Sequence, residues 1–179
     1  MSEHKKKKTI AVHIFPKFEN QSKIEAVRSR FDFLYGLVEP HITLIFPFET
    51  DKELDVLKEE VNLRLQGTKK FKLKMQGFEA VDCFGYYMFL KVVDGNDAIE
   101  SLHYKLHEGL FSDYATCWTK EKTYKPHMTV GRFKTKCEMD KAYEELKTKE
   151  DIFEIEVDRL VMERIGENEE SIIEGEFLF

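Results

Sequence analysis

Two short segments of the chain, Pro40-His41-Ile42-Thr43-Leu44 and Pro126-His127-Met128-Thr129-Val130, set an imidazole and a hydroxyl two residues apart within an apolar run. Side chains alternate along an extended strand, so His41 and Thr43 share one face while Ile42 and Leu44 take the other, and the second segment repeats the pattern. One such motif arises readily by chance. Two copies, each behind a proline, are expected in roughly one random chain in ten thousand. In-line displacement at phosphorus needs a base that takes a proton from the attacking oxygen and an acid that protonates the leaving oxygen on the far side. The ordinary pKa of imidazole lies near neutrality, so one neutral and one cationic ring can coexist. Thr43 and Thr129 would donate hydrogen bonds to nonbridging phosphoryl oxygens, where negative charge must be held. The plain alternatives are histidines satisfied by core hydrogen bonds and threonines present for β propensity.

Other residue types carry weaker signals. Arg132 follows the second motif and could contact a phosphate. Phe46, Phe48, Trp118 and Tyr124 lie in or near the motif loops and are candidates for stacking a nucleobase, although aromatic residues more often pack a core. His103 and His107 stand four apart, a spacing that metal ligands use, but the glutamate of a metalloprotease helix is missing and no third ligand is evident. A place flanking the buried face of a helix is expected for both. A packing role is expected for His13, and His4 belongs to the tail. Cys83, Cys117 and Cys137 are odd in number and widely spaced, and read as free thiols.

The elements that must position the motifs follow from periodicity. Residues 9–15 read as a strand, and Ile24, Val27 and Phe31 predict a helix over residues 21–31. The first motif opens a strand at residues 41–46, followed by a helix over 51–65 that Gly67 ends. Alternating residues from Phe71 to Met75 and residues 86–93 read as paired strands, and residues 97–110 as a third helix. An aromatic loop over 111–124 precedes the second motif strand at 127–133, a charged helix at 138–147, and strands at 153–161 and 172–179. The same phrase thus occurs twice: a His-x-Thr strand, a helix, then two strands. Asp51 stands ten residues beyond His41, as Cys137 does beyond His127. Two pseudo-symmetric lobes with their motif strands facing a shared cleft are the expected arrangement.

A length of 179 residues suits one domain over residues 1–179, with residues 1–8 a flexible basic tail. A net charge of −6, from Lys+Arg 28 against Asp+Glu 34, disfavours a broad footprint on long nucleic acid but leaves room for a small phosphate ligand in a locally positive cleft. The run after Lys5 to Lys8 is broken by His13 and Pro16 before it reaches signal-peptide length, and no segment approaches 18 uninterrupted apolar residues. No membrane association and a cytoplasmic location are expected.

At these residues the chain resembles the 2H phosphoesterase superfamily, the RNA 2′,3′-cyclic phosphodiesterases also called 2′-5′ RNA ligases. Tyr124-Lys125-Pro126-His127-Met128-Thr129-Val130-Gly131-Arg132 is similar to the family's second motif, and Pro40-His41-Ile42-Thr43-Leu44 to its first. Through the duplicated order the resemblance extends over nearly the whole chain. It implies a bilobal α+β fold with antiparallel sheets around a central cleft, an active site of His41, Thr43, His127 and Thr129, and no metal or other cofactor. It implies a hydrolase opening the 2′,3′-cyclic phosphate of RNA ends or small nucleotides, with reverse ligation as a further activity, His127 activating water and His41 protonating the departing oxygen. RNA termini or a small cyclic nucleotide are the implied partners, with no obligatory protein partner. Two other readings stay open: a nucleotide-binding module without turnover, and a site in which His41 and His127 ligate a metal, which the lack of Asp, Glu or Cys within the motifs disfavours.

Overall fold

The computed structural model describes residues 7–179. Its elements run β1 (Lys8–Ile14), α1 (Ser22–Phe31), β2 (Ile42–Thr50), α2 (Leu54–Leu65), β3 (Phe71–Val81), β4 (Tyr86–Asp94), α3 (Asn96–Leu106), a 3₁₀ helix (Gly109–Tyr114), α4 (Cys117–Lys120), β5 (His127–Phe133), α5 (Lys136–Leu146), β6 (Ile152–Val157), β7 (Arg159–Ile165) and β8 (Ser171–Leu178). Most of the expected basic tail lies outside the described residues. Lys8 already belongs to β1, paired with Thr50.

All eight strands join one sheet in the order β6-β3-β4-β5-β2-β1-β7-β8, and every neighbouring pair is antiparallel. Four strands lie on each side of the junction between β5 and β2, where the only ladder pair recorded is Ile42 with Met128. A pseudo-two-fold axis through that pair exchanges β2 with β5, β1 with β4, β7 with β3 and β8 with β6. The expected α+β fold with two antiparallel lobes is present.

The phase of the repeat differs from the sequence reading. The repeating unit starts one strand and one helix before each motif, at β1 and at β4, so each His-x-Thr strand is the second strand of its unit. β3 and β4, read as the tail of the first copy, pair with each other beside β5. Periodicity marks elements but not their partners. For the same reason residues 153–161, read as one strand, are two: β6 pairs with β3 in one half and β7 with β1 and β8 in the other. The chain crosses between halves at Asp158, whose carbonyl accepts the Phe179 amide. The aromatic stretch 111–124 carries most of the 3₁₀ helix and one turn of α4 instead of open loop.

Helices cover one face of the sheet. Ile24 and Val27 of α1, Leu57 and Val61 of α2, Ile99, Leu102 and Leu106 of α3, and Met139, Ala142 and Leu146 of α5 share one buried cluster with Ile42, Leu44, Met128 and Val130. α5 starts at Lys136 because Thr135 caps it, accepting from the Glu138 amide while Glu138 reaches back. Among the described residues no helix is long and apolar enough to cross a membrane.

Candidate active site

Alternation along β2 and β5 does what the motifs require. Ile42, Leu44, Met128 and Val130 are fully buried among the helices, while His41, Thr43, His127 and Thr129 are half-buried and take the other face. The Ile42–Met128 pair is the pivot. The four polar residues flank it, two on each strand, which brings both His-x-Thr pairs to one place. Gly131 allows α1 close to β5, since a Cβ there would meet the Phe31 Cβ at 3.0 Å.

The two imidazoles are held in the same way. Each folds back over a buried proline, so that His41 Nδ1 donates to the Glu39 carbonyl at 2.8 Å and His127 Nδ1 donates to the Lys125 carbonyl at 2.8 Å. A carbonyl oxygen only accepts, so Nδ1 carries a proton in both rings and Nε2 is the nitrogen left for chemistry. A neutral ring takes a proton there, and a cationic ring gives one. Burial drives the His41 pKa well below its ordinary value; the His13 charge pushes the same way, Glu163 opposes, and Arg28 and His127 add to the lowering. Burial also lowers His127, against its bond to the Lys125 carbonyl and the charge of Glu79. A phosphate anion between the rings would favour their cationic forms and raise both.

The rings rest on different supports. His127 stacks on Phe89, centroids 3.9 Å apart and planes at 21°. His41 lies against His13, 4.4 Å away and tilted 59°, with Phe15 at 5.7 Å. A pocket of about 460 Å³ with Phe15, Glu39 and Ser171 among its walls is lined by none of the four motif residues.

A polar cluster that the sequence reading did not assemble holds the backbone of β2. The Tyr124 hydroxyl donates to the Thr43 carbonyl at 2.7 Å, and its ring stacks on His103 at 3.8 Å and 4°. His103 Nδ1 donates to the Leu44 carbonyl at 2.7 Å, leaving Nε2 to accept from the Thr119 hydroxyl at 3.0 Å. Burial lowers the His103 pKa to about 4, which keeps the ring neutral in this arrangement. His107 donates Nδ1 to the His103 carbonyl at 2.8 Å. His103 is buried on α3 and His107 is buried just past its C-terminal end. Among the described residues no three His, Cys, Asp or Glu side chains converge as metal ligands.

The stacking candidates divide. Phe48 is buried and stacks on Tyr114 at 4.1 Å, and Tyr124 is buried as described, so neither offers a face to a base. Their apolar area outweighed their nearness to the motif. Phe46 and Trp118 remain half-buried and meet at 5.4 Å. Trp118 continues to Phe84 at 5.7 Å, Phe84 to Tyr87 at 5.3 Å, and Tyr87 to Phe89 at 6.0 Å, forming an aromatic ridge that ends under His127. Phe84 is 48% exposed. Arg132 is exposed, its guanidinium 5.1 Å from the Phe33 ring and 5.6 Å from that of Tyr87. Phe84 and Tyr87 gave no sequence signal because only the β4–β5 pairing brings them to the motif. The three cysteines are free, as expected, and all are exposed.

Comparison with known proteins agrees with this geometry. Residues 15–169 match the family model of the 2′-5′ RNA ligase superfamily. A provisionally named phosphoesterase of Geobacillus kaustophilus is 35% identical over 147 residues, 82% of either chain, and another from Bacillus mycoides is 30% identical over 154 residues, 84% of either chain. In fold, the chain is similar to the crystal structure of E. coli LigT complexed with ATP, with a TM-score of 0.62 at 12% identity, over 97% of this chain and 99% of that one. The paired His-x-Thr strands, the eight-stranded sheet and the family match together place this chain in the 2′-5′ RNA ligase superfamily of 2H phosphoesterases.

Proposed function

We propose that the protein is a cyclic phosphodiesterase that opens 2′,3′-cyclic phosphates of RNA ends or small nucleotides by two-histidine acid–base catalysis without a metal, and that it runs the reverse 2′-5′ ligation when ends are supplied. The observation that carries this reading is the matched pair of imidazoles, each with Nδ1 tied to a carbonyl and Nε2 left for a reacting group. One Nε2 takes a proton from water as its oxygen bonds to phosphorus. The other protonates the ribose oxygen as its bond to phosphorus breaks. Thr43 and Thr129 supply donors to the nonbridging oxygens. The ridge from Trp118 through Phe84 and Tyr87, with Arg132 beside it, supports a nucleotide substrate, because bases stack on aromatic faces and guanidinium groups pair with phosphates.

The test is a product-resolved screen of EDTA-treated protein against 2′,3′-cyclic mononucleotides, RNA with a terminal cyclic phosphate, and 2′-5′ linked oligonucleotides. Conversion of a cyclic phosphate to a monoester, lost in His127→Ala, is expected. Activity that disappears in EDTA and returns with one divalent ion would transfer the two histidines to a metal site. Trp118 is the only tryptophan, so quenching of its fluorescence by RNA without product formation would identify a binding module instead.

A further inference from the structure

Sheet register carries the active-site face into the 460 Å³ pocket. Thr43 in β2 stands opposite His13 in β1, His13 opposite Val161 in β7, and Val161 opposite Glu176 in β8. Cross-strand partners share a face, so Val161 and Glu176 lie on the side of the sheet that carries the motif threonines. Both line the pocket. Three strand spacings of about 4.8 Å put Glu176 roughly 14 Å from Thr43 along the sheet. Two other wall residues also hold His41: the Phe15 ring lies 5.7 Å from its imidazole, and the Glu39 carbonyl accepts from its Nδ1. The wall formed by residues 35–39 is tied down on both sides, since buried Arg28 donates to the Val38 carbonyl at 2.8 Å and the Ser171 amide donates to the Leu37 carbonyl at 2.9 Å. A pocket built this way is preformed, as small-molecule sites usually are.

We propose that this pocket is a nucleobase subsite, placed to take a base beside the reacting phosphate, and that it prefers bases with an exocyclic amino group, adenine, guanine and cytosine, over uracil. The proposal rests on the nucleotide substrate proposed above. Phe15, Tyr35, Val161 and Ile173 offer apolar and aromatic surface to a flat ring. The charged groups in the walls are Glu25, Glu39 and Glu176 against Lys17, a balance that disfavours a phosphate. Glu25 pairs with Arg28, Glu39 with Lys17 and Glu176 with Arg159. A carboxylate has about four acceptor sites, so the rim still holds more acceptors than donors. An exocyclic amine gives those acceptors a proton, as cytosine does to Glu or Asp in nucleic-acid recognition, while uracil turns two carbonyl oxygens towards them. The two halves of the cleft thus treat a base differently. The ridge from Trp118 to Tyr87 offers ring faces on which any base stacks, and the pocket reads an edge.

The test titrates the four nucleoside 2′-monophosphates, products of the proposed reaction, into the full chain and follows backbone amides by NMR. The adenosine, guanosine and cytidine compounds should shift the amides of residues 35–39 and of Ile173, and bind about fivefold or more tighter than the uridine compound. Ile173 is 52% exposed, so Ile173→Trp fills the pocket without entering the core. It should reduce the preference to less than about twofold. Glu176→Lys, at an exposed position of the edge strand β8, puts a donor in place of an acceptor; it should have the same effect and serves if the first variant does not fold. Equal affinity for all four compounds, shifts confined to the ridge around Phe84 and Tyr87, or a preference that persists in a folded variant would each overturn the proposal. The binding arm needs no turnover. A base preference that Ile173→Trp removes supports the pocket even where no cyclic phosphate is opened, and turnover of cyclic nucleotides without any such preference overturns the pocket while keeping the proposed reaction.

Discussion

A threonine two residues from a proposed catalytic histidine either holds charge in the transition state or only extends the strand, and a methyl in place of the hydroxyl separates the two. Thr43→Val and Thr129→Val keep the β-branched shape, so the fold should survive. Turnover should fall roughly ten- to a hundred-fold in each, the rate equivalent of losing a charge-assisted hydrogen bond worth about 1.5 to 3 kcal/mol. Full activity in both would leave the threonines as strand formers. These four residues were legible in the sequence because strand alternation alone decides which side chains share a face. His13 was not. It reads as a packing residue, and its bond to Glu163 and ring contact with His41, 150 and 28 positions away, come only from sheet register.

At the scale of elements, β2 is held in place by side chains from α3 and from the segment before β5. Tyr124 and His103 give the Thr43 and Leu44 carbonyls their hydrogen bonds in a buried setting. Tyr124→Phe keeps the stack on His103 but strips the donor, leaving a carbonyl without that partner; a loss of about 1 to 3 kcal/mol in chemical denaturation is expected. An unchanged midpoint would mean that water or a shift of β2 replaces the bond. The sequence suggested Tyr124 as a stacker because it abuts the second motif, yet a phenol that reaches across to the first strand leaves no mark on local periodicity. Helices were more legible: α1, α2, α3 and α5 each show apolar residues at three- and four-residue spacing, and the differences lie at the ends, where caps such as Thr135 decide.

For the whole molecule, buried histidines tie stability to pH. His41, His103, His107 and His127 all titrate below their ordinary value, chiefly through burial, so below about pH 6.5 the unfolded chain binds protons that the folded chain refuses. Stability is full above that pH and is lost as pH falls; fully buried His103 alone contributes about 2 kcal/mol of loss by pH 5. The melting temperature should drop between pH 7 and pH 5, and a flat or rising value would contradict the burial of these rings. The duplicated architecture was legible as a repeated motif, but its phase was not, because one half joins β1 and β2 to β7 and β8 from the far end of the chain while the other takes the contiguous β3 to β6. On the proposed mechanism His41 and His127 act in one transition state. The most direct measurement is therefore turnover of one cyclic phosphodiester by wild type, His41→Ala, His127→Ala and the double variant. Each single loss should be about 10² to 10⁴, with the double variant no more than about tenfold below the worse single one. Losses that multiply fully, or a single variant that keeps wild-type turnover, would contradict two histidines acting together on one phosphorus.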